Sequence, residues 1–571
     1  MDAENLKRQQ AKPKGISAAS RTARPPGSLR VVTDTPHLTH LVEQFLAWHF
    51  DHNPGTAAML GSLAHDHTLG DFSAGAFTEY ERGADAWLDR FAAAGADDLQ
   101  GSVDRDLVVA VLRGVRAKAT WPSWRRDPSV YTTAVLYPLF SAFLNRLRPE
   151  PELVASVVKR LAEVPAVLAA CRANLDRGLA APKIVKRAAD QARTGRAFLT
   201  ATLPAEVTDP ALRAELAEAA EPAARAFDEL AVFLDEFADR AEGDWRMGEQ
   251  LYSTLLREQE VLGYGAAELH ERGKAAYAEL DAEMRELAGT DDWHAVMASF
   301  QDDHPPTPEA MRAEYEAETR RARAFLVEHG LVTFAEGEEC RVVPSPAFQR
   351  PVLSVASYMS PPPLTDQRTG HFFVPFPPDG FTAEQTTQRL RTNSRAQLAT
   401  IAVHEAYPGH HWHLSWLAAQ DRPVRKVFRT PYFSEGWALY AEKLLREHGY
   451  FTAEVVGDAA KARAQELAHV EARLFRAARM IVDTALHCGD MTVEEAEEFM
   501  TTKASLTPGT ATGEVSRYCA WPTQAPSYLT GALEIESIRS EYTGSLREFH
   551  DTIAGAGALP LGLARKVALG R

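Results

Sequence analysis

Cysteine is scarce and scattered. The chain of 571 residues carries four, Cys171, Cys340, Cys488 and Cys519, with no CxxC pair among them. That spacing supports neither a disulfide framework nor a thiolate zinc site, so they read as reduced, buried or neutral thiols. Long apolar runs are also missing. No stretch approaches the roughly 18–20 uninterrupted apolar residues of a membrane span, so no membrane partner is expected. Positive charge is short as well. The net charge is −16, and a nucleic-acid binder needs a positive field to meet phosphates, so nucleic acid is excluded as a partner. The chain opens Met1-Asp2-Ala3-Glu4-Asn5-Leu6-Lys7-Arg8 and continues polar and basic to about Arg30, without an apolar h-region or a lipobox cysteine. This reads as a disordered basic tail over residues 1–35 and points to the cytoplasm.

What is present is the composition of a soluble globular protein, 45% hydrophobic and 25% charged. The length allows a large core and more than one domain. From about Pro36 to Val332 the chain reads as helix after helix. Residues 205–242 are dense in Ala, Leu, Glu and Arg, all good helix formers. Gly265 opens another amphipathic stretch that ends near Gly289. No fixed-period repeat is present, which argues against a solenoid. The texture changes over Cys340–Pro378. There Val342-Val343, Val352–Tyr358 and Phe372-Phe373-Val374 are short apolar or aromatic runs between Pro, Gly and Asp clusters, the pattern of a small sheet. Helix resumes at Thr382. The expected fold is mainly α, with a helical N-terminal region over 36–335. A catalytic region follows over 336–571, with the small β-sheet placed just before the helix that carries the chemistry.

That helix begins near Ser394-Arg395-Ala396-Gln397, which has capping-box spacing. It carries Leu398, Ile401 and Val403, then His404-Glu405-Ala406-Tyr407-Pro408-Gly409-His410-His411. A zincin helix, H-E-x-x-H, works because residues four apart lie nearly on one face and share one ion. Here position 408 is Pro instead. In a regular helix His404 and His410 would stand about 120° apart, and His404 and His411 about 10 Å apart in rise. Pro408 removes a hydrogen bond and Gly409 loosens the next turn, so the spacing predicts a break or bulge between Glu405 and His410. Such a break brings a later histidine back to the ion. His410 requires the smaller distortion and His411 the larger. A third ligand should come from another element, and Glu435 fits, in Ser434-Glu435-Gly436-Trp437-Ala438-Leu439-Tyr440. Two His and one Glu leave a fourth position for water, as catalytic zinc requires, and leave Glu405 free as general base.

H-E-A-Y-P-G-H-H followed by S-E-G-W-A-L-Y-A-E resembles the bacterial domain-of-unknown-function 885 family, whose pattern is H-E-x-x-P-G-H followed by E-G-W-A-x-Y. The likeness continues through Arg476–His487, Arg517-Tyr518 and Pro522–Gly531, and precedes the metal helix at Tyr358, Pro361–Pro363 and Gly370–Val374. It is strong over about residues 240–571. The resemblance implies a large helical fold similar to helical zinc peptidases with two His and one Glu as ligands. By that similarity a late tyrosine would donate to the tetrahedral oxyanion, Tyr528 first and Tyr518 second. Arg476, Arg479 and Arg517 are candidates to clamp a substrate carboxylate, or else internal ion pairs. Asp483 and His487, one turn apart, could pair to orient a ligand or substrate, and Gln524 joins His487 among the substrate-binding candidates. His550 reads as structural.

The expected function is a Zn2+-dependent hydrolase, a metallopeptidase or amidohydrolase acting on short peptides or small amides. The alternatives are a non-hydrolytic metal-dependent tailoring enzyme, for example with iron, and a metal-free binding protein on the same scaffold. Glu405 discriminates, because a hydrolase needs this base and an oxygenase does not.

Overall fold

The computed structural model describes residues 38–346, 349–350 and 355–570. The tail expected over 1–35 lies outside them. Long amphipathic runs of good helix formers become helices. In the N-terminal half these include α1 (Glu150–Asn174), α2 (Pro182–Ala197) and α3 (Pro210–Ala238). α3 starts where Asp209 accepts hydrogen bonds from the Ala211 and Leu212 N–H groups, satisfying two donors that the first turn leaves unpaired. Leu216, Ala220, Ala223, Phe227, Leu230 and Leu234 recur every three or four residues and are buried against α1 and α2. α4 (Ala266–Ala288) runs between two glycines, and Gly289 closes it in the left-handed conformation at φ 68°. α5 (Pro308–His329) leads to the sheet.

The sheet has three strands, β1 (Glu339–Pro344), β2 (Ser357–Met359) and β3 (Thr369–Val374). β3 is central, parallel to β1 and antiparallel to β2. Of the run read as strand from Val352 to Tyr358, residues 352–354 lie outside the described residues, and the end of the run contributes to β2. Phe372 and Val374 are buried, and Tyr315 of α5 meets Phe372 edge-on at 5.2 Å between ring centroids. In register Tyr358 faces Phe372, and its ring reaches diagonally over Gly370, where a Cβ would collide with it.

A helix over 383–392 then opens on a capping box formed by Thr382 and Gln385. α6 (Arg395–Glu405), α7 (His410–Ala419), α8 (Pro431–Glu447), α9 (Ala459–Cys488), α10 (Pro508–Ala520) and α11 (Ser527–Glu541) surround the candidate site. The capping box expected at Ser394 does not form. Ser394 sits at the N-cap without a side-chain bond, and Gln397 turns to Glu471 of α9 instead. The described residues make one compact unit, and its largest core draws on residues from Leu41 to Val567, crossing position 335. Among the described residues no helix is long and apolar enough to cross a membrane.

α8 and α11 cross at two glycines. A Cβ on Gly436 would strike the backbone of Gly531, and one on Gly531 would strike the carbonyl of Tyr432. Neither obstacle is a flexible side-chain end, so the helices themselves would have to separate. Gly531→Ala is therefore expected to destabilise the fold by about 1–3 kcal/mol, the usual cost of overpacking a tight contact. Denaturant unfolding measures this. A variant as stable as wild type would show that the crossing tolerates a methyl group.

Candidate metal centre

α6 ends where the sequence denies it a continuation. Ala406 leaves helical geometry at φ −111°, ψ −88°, and Pro408 has no N–H to donate. The Tyr407–Pro408 peptide is cis. Gly409 packs so closely on the end of α6 that a Cβ would collide with the carbonyls of Val403 and His404. The ladder is re-formed by irregular bonds, Gly409 N–H to Val403 O at 3.0 Å and Trp412 N–H to Ala406 O at 3.2 Å, and α7 begins at His410. The expected break is thus present between Glu405 and His410. It brings the His404 and His410 rings to 4.8 Å between centroids, nearly perpendicular at 87°.

Glu435 arrives from the second turn of α8, which starts at Thr430, whose side chain accepts the Tyr432 N–H. Its neighbour Gly436 sits at the contact with α11. Tyr528, one turn before Gly531, is brought to the same locality by the same crossing. Glu435 Oε2 lies 3.5 Å from His404 Nε2 and 3.3 Å from His410 Nε2. One donor atom from each of the three residues falls within 4.8 Å of the others. Donors of a tetrahedral zinc with bonds of about 2.1 Å stand about 3.4 Å apart, so the two nitrogen–oxygen spacings fit such an ion. The side chains keep 9%, 13% and 22% exposure for His404, His410 and Glu435. The cluster is sheltered, yet open on the side of the carboxylate.

Sequence reasoning missed the next layer. His404 Nδ1 lies 2.7 Å from Glu442 Oε1, both buried. His469 of α9 lies 3.5 Å from the other Glu442 oxygen. Glu442 follows Glu435 by seven residues on one helix, hence on nearly the same face, and that spacing was the available signal. With Nδ1 held by Glu442, His404 keeps Nε2 for the cluster, the arrangement that fixes the tautomer of a metal-ligating histidine. Burial alone would lower the His404 pKa, but hydrogen bonds to Glu435 and Glu442 outweigh it and raise it to about 10. Burial would raise Glu442, but hydrogen bonds from His404 and His469 bring it down to about 2. Glu405 is half-buried. Burial raises its pKa, partly offset by the nearby His404 and His410 charges.

The other candidates fall into two groups. Tyr528 is half-buried beside the cluster, with the Arg479 and Arg476 guanidinium carbons 4.9 and 5.7 Å from its ring centroid. Burial is the main cause raising its pKa, and the Glu435 charge adds to it. His411 is not in the cluster. Its Nδ1 lies 2.9 Å from the Tyr358 hydroxyl and its Nε2 2.6 Å from Glu338, so both ring nitrogens are committed to the sheet side. The larger distortion that His411 required is not made. Tyr518 donates to Glu514 at 2.7 Å and accepts from Arg479 Nε at 3.2 Å. Arg479 and Arg517 share Glu514, and Arg517 also donates to Gln524 at 2.8 Å. These four candidate residues are therefore tied together, largely through Glu514. Asp483 and His487 do not pair. Asp483 accepts from the Tyr252 hydroxyl at 2.5 Å and the Thr523 N–H at 3.1 Å. His487 takes the Met247 N–H at 3.3 Å, and its Nε2 lies 3.0 Å from the Tyr518 carbonyl. His550 bridges Tyr440 and the Leu331 carbonyl.

Residues 54–567 match the family described as "Bacterial protein of unknown function (DUF885)". The chain belongs to that family. No curated protein matches it. Two solved structures are similar. One, from Shewanella oneidensis, is described as "a putative lipoprotein of unknown function". It has a TM-score of 0.76 at 20% identity, covering 93% of this chain and 99% of that one. The other, from Colwellia psychrerythraea, is described as a "putative lipoprotein". It has a TM-score of 0.77 at 17% identity, covering 95% of this chain and 99% of that one. At these identities the likeness is one of fold, and it extends over nearly the whole chain.

Zinc titration of metal-free protein is expected to show one tight equivalent per chain, lost in His404→Ala, His410→Ala and Glu435→Gln. With its pKa raised to about 10, His404 is expected to carry a proton in metal-free protein, and a metal takes only the neutral ring. Binding near neutral pH should therefore release about one proton, and affinity should rise with pH. Glu442→Gln should weaken binding about 10–100-fold without abolishing it. Undiminished binding by Glu435→Gln would dismantle the ligand set.

Proposed function

We propose that this protein is a zinc-dependent hydrolase of peptide or amide bonds, acting on short peptides or small amides. The observation that carries this reading is the His404–His410–Glu435 cluster with a half-buried carboxylate beside it, Glu405, which makes no hydrogen bond or ion pair among the described residues. A donor set of two His and one Glu, the set used by the helical zinc peptidases that the family resemblance implies, supports it. Small substrates are favoured because the ligands are sheltered.

A zinc ion held by His404, His410 and Glu435 would supply Lewis-acid polarisation of the scissile carbonyl and acidify water there. Glu405 accepts the proton of the attacking water and delivers it to the leaving nitrogen. Burial raises its pKa, which suits a group that takes up a proton and gives it back. Glu442 holds His404 in orientation. The Tyr528 hydroxyl, which has no hydrogen-bond partner among the described residues, donates to the oxygen that gains charge at the acyl carbon.

Glu405→Gln is expected to keep the metal and lose turnover by about 10²–10⁴-fold, the usual worth of general acid–base catalysis. Tyr528→Phe should lower kcat more than it raises KM, because the contact strengthens in the transition state. Both are measured against a small library of peptides and amides. Near-normal turnover by zinc-loaded Glu405→Gln would reject hydrolysis through this base and favour non-hydrolytic metal chemistry. Absence of metal binding would favour a binding protein.

A further inference from the structure

The arginines of α9 are engaged, with one exception. Arg463 donates to the carbonyls of Leu287 and Ala288, Arg473 to Glu536 at 2.9 Å, and Arg479 to Glu514 at 2.8 Å. Arg476 makes a single bond, from Nη1 to Ala472 O of its own helix at 3.2 Å, and its Nε is buried without a partner. No carboxylate lies within ion-pair distance of it among the described residues. Yet it stands near the candidate centre. Glu405, Glu435, Glu442 and Tyr528 are all its electrostatic neighbours, and Tyr528 is also its ring neighbour. These carboxylates attract the guanidinium from beyond ion-pair distance, and among the described residues none of them hydrogen-bonds it, so its fork is free to take an incoming anion. The planar fork selects a carboxylate, which it can grip through two parallel hydrogen bonds.

In a peptide held with its scissile carbonyl at the His404–His410–Glu435 cluster, the free C-terminal carboxylate lies one or two residues away, at about 4 Å per residue. We propose that Arg476 binds that carboxylate, and that the enzyme is an exopeptidase removing one or two residues from the C-terminal end of short peptides. This rests on the hydrolytic reading above and names its substrate class. Water supplies hydroxyl to the acyl carbon and a proton to the leaving amine as the C–N bond breaks, and no redox partner is needed. Arg479 and Arg517 are poor rivals for the role because Glu514 already holds them.

The test uses an N-acetylated tripeptide as the free acid and as its C-terminal amide, with zinc-loaded full-length protein. The acid should be hydrolysed with a kcat/KM about 10–100-fold above the amide's, the range expected for a charged hydrogen-bonded contact. Arg476→Gln should bring the acid down to the amide's level, and Arg476→Lys should recover part of the difference. Calorimetry of both peptides with zinc-loaded Glu405→Gln protein gives an arm independent of turnover. The acid should bind more tightly than the amide, and the preference should vanish in the Glu405→Gln, Arg476→Gln double variant. Equal cleavage of acid and amide, or a preference that survives Arg476→Gln, overturns the assignment. If neither peptide is cleaved the hydrolytic reading fails, and the calorimetric preference alone decides whether Arg476 is a carboxylate site.

Discussion

The candidate centre depends on a helix that is forbidden to continue for four residues. Pro408 cannot donate to the ladder, and Gly409 alone is small enough to lie against the last carbonyls of α6. The chain therefore turns and restarts instead of wandering off as a loop. His404 and His410, which an unbroken helix would point in different directions, face a common point. Each of the other contributions is an addition to that geometry.

Those additions come from glycine contacts and layered carboxylates. The Gly436–Gly531 crossing lets α8 lie against α11 at backbone distance, which brings Glu435 and Tyr528 within electrostatic reach of each other. His404 is then held between two carboxylates, Glu435 at one nitrogen and Glu442 at the other, with His469 behind. The layering explains how two glutamates and a histidine lie so close together. The His404 charge lies between the two carboxylates, and His469, whose pKa burial lowers, stands behind Glu442 with its ring stacked on Phe451 at 5.7 Å.

Much of this was legible from the chain alone because the decisive features are local. Pro408-Gly409 inside an apolar helix announces a break, and the capped, amphipathic runs announce helices such as α3 and α4. The small sheet was visible as aromatic and β-branched runs between turn residues. What escaped was non-local. Glu442 has no distinguishing neighbour in sequence beyond its spacing from Glu435. The Arg479–Glu514–Arg517–Tyr518 knot unites α9 and α10, which no local pattern connects. Ser394 shows the opposite failure. Its capping spacing is right, but tertiary contact with α9 draws Gln397 away.

His411 belongs to this last class, and its placement has a mechanical consequence. Both of its nitrogens are tied to Tyr358 and Glu338, and Glu338 also receives the Tyr407 hydroxyl at 2.6 Å. The sheet is thereby clamped to the first residue pair of α7. Tyr358 can reach across only because position 370 is bare. The strands thus act as a strut. A side chain at position 370 would push the tyrosine out and remove the brace on one face of the His410–His411 pair. The aim of His410 would then shift from more than thirty residues away, with every ligand still in place.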